Sequence, residues 1–139
     1  MTLYLEDIHA LVKSFGLVED GHCYMGKLDA KKENSIGVYN LKRASPYRAA
    51  IGGKERQSYG VKQASFLVHW NKSPRDAEEA ATELFRRLEG VRNATVNGKR
   101  VLFAAMLTDG PVDVGTDDAG VYEMAIEAEF YYERGEDDA

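Results

Sequence analysis

The chain predicts an α+β fold, a mainly antiparallel sheet covered by an N-terminal helix and a longer helix around 74–89, and three observations carry this. In YEMAIEAEFYY (122–132), Tyr122, Met124, Ile126, Ala128, Phe130 and Tyr132 alternate with Glu123, Ala125, Glu127, Glu129 and Tyr131. That period of two marks a strand with one apolar and one acidic face. Between 74 and 89, Ala77, Ala80, Ala81, Leu84, Phe85 and Leu88 recur at helical spacing, with Glu78, Glu79, Glu83, Arg86 and Arg87 turned away. Asn97-Gly98 lies between two apolar stretches and supplies the turn chemistry of a hairpin, which joins its strands antiparallel.

The elements follow in chain order. Leu5, Ile8, Leu11, Val12 and Phe15 form the stripe of the first helix, and Gly16 can end it in a left-handed conformation. CYMGKL is expected as a short strand, DAKKENS as an exposed connection and IGVYNL as a second strand. Gly52 and Gly53, with polar flanks, predict a surface loop; their IGGK lacks the glycine spacing and terminal Ser/Thr of a phosphate loop. VKQASFLVHW reads as a central strand with Ala64, Phe66, Val68 and Trp70 on one face and Leu67 and His69 on the other. Ser73 is the expected cap of the long helix, with Pro74 at its first position and Asp76 answering the cap. In the strand after Gly98, alternation assigns Val101, Phe103, Ala105 and Leu107 to one face and Leu102, Ala104 and Met106 to the other. Both faces are apolar, which predicts a strand covered within the subunit or on assembly. TDGPVDVGTDDAG reads as a loop that interrupts the strands.

At 139 residues the chain is expected to form a single domain, 1–139, in which the acidic 133–139 is a flexible terminus. A formal net charge of -5 argues against a general clamp on a phosphate backbone, which concentrates Lys and Arg. Locally, Arg43, Arg48, Lys54, Arg56 and Lys62 surround Tyr47 and Tyr59; a polar loop or an inter-subunit patch fits this better than nucleic-acid binding in an acidic chain. No apolar run reaches the roughly 20 residues of a membrane-spanning helix, and MTLYLEDIHALVKSF reads as mature protein made in the cytoplasm. Cys23, the single cysteine, precludes a disulfide within the chain and with His22 makes no zinc-site spacing; an ordinary small side chain is expected. His69 has no sequence neighbour to make it a base in a triad, so a structural or surface role is expected.

Asp109, Asp113, Asp117, Asp118 and Glu123 supply oxygens suited to a hard cation, but their spacing departs from a calcium loop. Near glycines such aspartates more often fix turns through side-chain oxygens, the expectation for Asp113 and for Asp117 or Asp118. Glu123, Glu127 and Glu129 line one strand face without anything to separate their protonation states, so a solvated or electrostatic face is expected rather than an acid–base pair.

With IGVYN (36–40), LVHWNKS (67–73) and PVDVGTDDAGVYE (111–123) in place, the pattern over roughly 36–133 resembles the minor capsid and tail terminator (tail completion) proteins of long-tailed bacteriophages or prophages. The stretch before Ser35 matches less distinctly. In this resemblance 36–40 corresponds to an early sheet element, 66–73 to the passage into the long helix and 111–123 to the loop before the last strand. It implies a structural virion protein rather than an enzyme, with no catalytic, cofactor or metal residues. Such a protein caps the tail tube as a ring of six copies and offers a docking surface to the head. The implied partners are further copies of the chain, the tail tube protein and a head completion or connector protein, with DNA passing through the ring and no membrane. The implied location is the head-proximal end of the tail. Arg48, Lys54, Arg56, Asp113, Asp117, Asp118 and Glu123 are the expected protein-contact residues. The competing readings are a head–tail adaptor that does not cap the tail and a metal-dependent nucleic-acid enzyme.

Overall fold

The computed structural model describes residues 2–41 and 58–134. The elements are α1 (Leu5–Ser14), β1 (Cys23–Met25), β2 (Ser35–Asn40), β3 (Tyr59–His69), α2 (Pro74–Glu89), β4 (Arg92–Val96), β5 (Lys99–Met106), β6 (Val112–Thr116) and β7 (Tyr122–Glu133). One sheet runs β1-β2-β3-β7-β5-β4, and β6 pairs β7 beyond the end of β5. The β1–β2 pairing is parallel and the others are antiparallel. The expected mainly antiparallel sheet with two helices is therefore the observed architecture.

Both helices bury their stripes against one face of this sheet. Ala77, Ala81, Leu84, Phe85 and Leu88 of α2 join a core with Phe66, Ile126, Ala128 and Phe130. Ile8, Leu11 and Val12 of α1 reach the same core beside β2, which contributes Ile36 and Val38. Phe66 and Phe130 meet edge-on, with ring centroids 6.1 Å apart, a geometry that places a ring's positive edge on its neighbour's electron-rich face.

The start of α2 is capped much as its sequence predicts. Ser73 Oγ accepts from the Asp76 amide and Pro74 opens the helix. The second half of the expected reciprocal cap is different: the Ser73 amide donates to Asn71 Oδ1, while Asn71 Nδ2 donates to Asp76 Oδ2. The shorter Asp76 thus answers the cap through an intervening amide, a role that a glutamate three residues on normally fills directly.

At the start of α1, Asp7 is buried and fully engaged. Its carboxylate accepts from the Tyr4 amide and Asn97 Nδ2, both at 2.8 Å, and pairs with Lys99 Nζ at 2.7 Å. The β4–β5 hairpin is thereby pinned to the helix, and its turn holds both Asn97 and Gly98 at positive φ, 50° and 74°, as the tight hairpin turn requires. Burial pushes the Asp7 carboxyl up, but the hydrogen bonds from Lys99, Asn97 and Tyr4 outweigh it and leave it below its ordinary value.

Two expectations are corrected. Val101 opposes Tyr132 but Phe103 opposes Tyr131, so two residues of β5 face one of β7 at a bulge. Strict alternation is broken there: Val101 shares the helix side with Ala104 and Met106, and Phe103 turns to the other face with Ala105 and Leu107. The segment expected as a loop contains β6, whose Val112 and Val114 favour extended backbone, with Gly115 at φ 92° where its register against β7 shifts. At the C-terminal side, β7 reaches Glu133 and the Arg134 amide donates to the Ser58 carbonyl. The turn expected at Gly52-Gly53 and the residues Arg48, Lys54 and Arg56 lie outside the described residues, as do 135–139.

Candidate functional site

Among the described residues, both helices lie on one sheet face and neither covers the other. Register sets Val61, Gln63, Ser65 and Leu67 of β3 beside Tyr131, Glu129, Glu127 and Ala125 of β7 on this side. Tyr131 stacks on Phe103 with centroids 4.5 Å apart and tilts against Tyr59 at 5.6 Å. Phe103 is nevertheless 40% exposed and Val61 39%. Next to this aromatic strip, a groove of about 640 Å³ runs between Tyr39, Leu41, Leu67, Ala125 and Glu127.

At the other end of β3 and β7 the same face is closed by a polar clamp. His69, with 0% of its side chain exposed, lies opposite Glu123 in register, and its Nδ1 is 2.8 Å from Glu123 Oε2. Its Nε2 is 3.0 Å from the Ala30 carbonyl, in the connection between β1 and β2, and 3.9 Å from Asp117 Oδ2. A ring carrying both protons donates to both close acceptors, whereas a neutral ring donates to one. Both nitrogens are occupied and the ring is sealed from solvent, so His69 binds segments together; it has no free nitrogen to act as a base. The expected structural role for His69 holds.

The β6–β7 hairpin extends from this clamp. Asp117 Oδ1 accepts from the amides of Ala119 and Val121, both at 2.9 Å, and Asp113 Oδ1 accepts from the Gly115 amide at 2.8 Å. The turn-fixing expectation for these aspartates is borne out. Above all the hydrogen bond from the Val121 amide, against the opposing effect of desolvation and aided by Ala119 and the His69 ring, holds the Asp117 carboxyl below its ordinary value. Asp118 stands exposed beside the turn, and Val112 and Val114 are 46% and 52% exposed along β6.

The seven sequence-predicted contact residues therefore divide. Asp113, Asp117, Asp118 and Glu123 share one hairpin and its root, while Arg48, Lys54 and Arg56 lie outside the described residues. Glu123 departs from the expected solvated face because it is held by His69, and Glu129 accepts from Gln63 Nε2 at 2.8 Å. Among the described residues no group of three or more His, Cys, Asp or Glu side chains is arranged to hold a metal ion. Burial pushes the Cys23 thiol up to about 11, against a small opposing effect of Lys13, which keeps it in the unreactive thiol form. Sequence reading missed the His69 clamp because its partners stand 39 residues before and 54 after it; the available signal was that His69 and Glu123 both fall on the non-core phase of their strands.

No curated protein matches the chain. The sequence model of a family described as "Bacteriophage tail terminator protein" matches residues 11–134, beginning inside α1 and so well before the stretch that carried the resemblance. A structural, tail-capping role replaces both the non-capping adaptor and the metal-dependent enzyme. The chain belongs to the bacteriophage tail terminator family, whose members are non-enzymatic structural components of the virion at the end of the tail they cap.

Proposed function

We propose that residues 1–139 act as one unit that closes into a ring of six copies on the head-proximal end of the tail tube. One face of the ring covers the polymerising end and stops addition of further tube subunits. The opposite face receives the head completion or connector protein, and DNA passes through the opening without sequence-specific contacts.

The observation that carries this reading is the sheet face away from α1 and α2, where Phe103, Val61 and the Tyr59–Tyr131 pair form an apolar strip with no helix over it among the described residues. Contiguous exposed apolar surface of this kind marks interaction sites, and a cyclic assembly needs two different complementary surfaces on each subunit. The exposed β6–β7 hairpin, with Asp118 beside its turn, supplies a second surface for an axial partner.

The test is removal of the protein in a phage assembly system, followed by electron microscopy. Unusually long tails are expected, because an uncapped tube keeps growing, and labelled protein restored to the system is expected as a ring at the head-proximal tail end. Tails of normal length without the protein, or label elsewhere on the particle, would overturn the proposal.

A further inference from the structure

The edges of the sheet are not closed alike. Among the described residues β1 and β4 end the sheet, and β6 pairs only with β7. The β1 edge is three residues long, and the His9 ring closes it, with Nε2 2.9 Å from the Cys23 carbonyl. The β4 edge bends at Asn93, whose φ of 49° is left-handed, and its cation Arg92 is engaged by the carbonyls of Glu89 and Val91. β6 has no comparable cover: all five of its residues are exposed, Val112 and Val114 among them. Its register against β7 is regular at Val112 and Asp113 and shifts before Gly115, whose amide Asp113 Oδ1 takes up. Proteins usually blunt an apolar edge strand, and an edge left open is the means by which a sheet receives a partner strand.

The surroundings set the charge of that partner. No Lys, Arg or His stands between Arg100 and Arg134, while Asp109, Asp113 and Asp118 are exposed on or beside β6. Successive residues of a strand point to opposite faces, so Val112 and Asp113 present an apolar and an anionic side chain on either side of the edge. A strand laid alongside meets both by alternating apolar and cationic residues, since opposite charges across a strand pair attract and like charges repel. The same rule disfavours β6 of a second copy, which brings its own aspartates against these, and the β1 and β4 edges of a second copy are closed as described.

We infer that an extended segment of a different protein, alternating Lys or Arg with apolar side chains, adds to the sheet as a strand along β6. Main-chain hydrogen bonds hold it, Val112 and Val114 pack on its apolar side chains, and Asp113 and Asp118 select its cations. The inference rests on the reading of the β6–β7 hairpin as the surface for an axial partner and names the chemistry of that partner.

The experiment adds a short synthetic peptide of alternating Lys and Val to the full-length protein and follows amide exchange by NMR. It is expected to slow, by about tenfold or more, the β6 amides that exchange fast in the free protein. A Glu–Val peptide, and the Lys–Val peptide N-methylated throughout, which keeps its charges but has no amide donors, should do neither this nor shift the β6 resonances. Val112→Lys, at an exposed position, should leave the melting temperature unchanged, abolish the protection and lower the fraction of complete particles by about tenfold or more in the phage assembly system. Equal binding of the N-methylated peptide would overturn strand addition. Protection of every β6 amide in the free protein would do the same, at all concentrations if the chain covers its own edge and rising with concentration if a second copy does. No binding of the Lys–Val peptide, while removal of the protein still gives unusually long tails, would overturn this partner and leave the capping reading standing. Strand addition together with tails of normal length on removal would overturn the capping reading and leave the edge site standing.

Discussion

Replacing His69 by alanine removes a fully buried ring and both of its polar bonds. Removing one partner so that a buried polar group is left unsatisfied costs about 1–3 kcal/mol, more when that group is charged. Glu123 keeps 20% of its side chain exposed, so water can partly resolvate it and the expected loss is about 1–3 kcal/mol. The assay is urea unfolding of His69→Ala, Glu123→Ala and the double variant, with stability extrapolated from the midpoints. The two changes should fail to add by about 1–2 kcal/mol, because either one alone removes the shared bond. His69→Phe separates hydrogen bonding from volume: it fills the space but leaves Glu123 and the Ala30 carbonyl without their hydrogen-bond partner, so it should be no better than alanine. Additive effects within about 0.3 kcal/mol, or recovery of stability in His69→Phe, would refute the clamp. Amide exchange at Tyr122, whose amide donates to Asn71 at 2.8 Å, should quicken in His69→Ala if the clamp also holds the root of the β6–β7 hairpin.

Leu84→Ala should cost about 2–5 kcal/mol in denaturant unfolding, because Leu84 is wholly buried between α2 and the sheet; a loss below about 0.5 kcal/mol would remove it from the core. Asp7 has a folded-state pKa below its unfolded value, so its contribution is present above about pH 4 and is lost as pH falls through the lowered value. Asp7→Asn should therefore be less stable than the parent at neutral pH, with the difference shrinking in acid; a constant difference across pH 2–7 would contradict this. Asp118→Lys should leave the melting temperature unchanged while reducing the number of heads joined to tails in micrographs, whereas Asp117→Lys should lower the melting temperature because it removes the acceptor for the Ala119 and Val121 amides.

The long periodic elements were legible because one physical effect dominated each. In α2 the apolar stripe and the Ser73-Pro74 start agree, and in β7 the alternation places Ile126, Ala128 and Phe130 in the core. β5 was legible as a strand but not in its facing: the bulge at Leu102 adds a residue, and nothing local in Val101-Leu102-Phe103 announces it, since all three are apolar. β6 was hidden because Pro111, Gly115 and the aspartates give a turn-like composition, while its pairing depends on β7 further along the chain. The site divided in the same manner. Asp113 and Asp117 act on amides two to four residues away and were readable as turn formers. Glu123 acts on His69, and only strand pairing brings the two together.

The acidic groups on the sheet face away from α1 and α2 bear on what kind of contact it can make. An exposed strip of Phe103, Val61 and tyrosines would, with neutral neighbours, favour two copies meeting face to face. Glu127 and Glu129 near that strip set like charges opposite each other in such a pair and disfavour it, a device that excludes a wrong partner without adding affinity for the right one. A partner surface that is both cationic and apolar meets no such penalty. The same argument sets the salt response. Association of subunits through a charge-assisted contact should weaken as ionic strength rises and the Debye length shortens from about 10 Å at 0.1 M to about 3 Å at 1 M. Association through the aromatic strip alone should hold or strengthen in a salting-out anion such as sulfate. A ring that tightens steadily with salt would therefore assign its cohesion to Phe103 and Tyr131, and leave Glu127 as a guard against the wrong pairing.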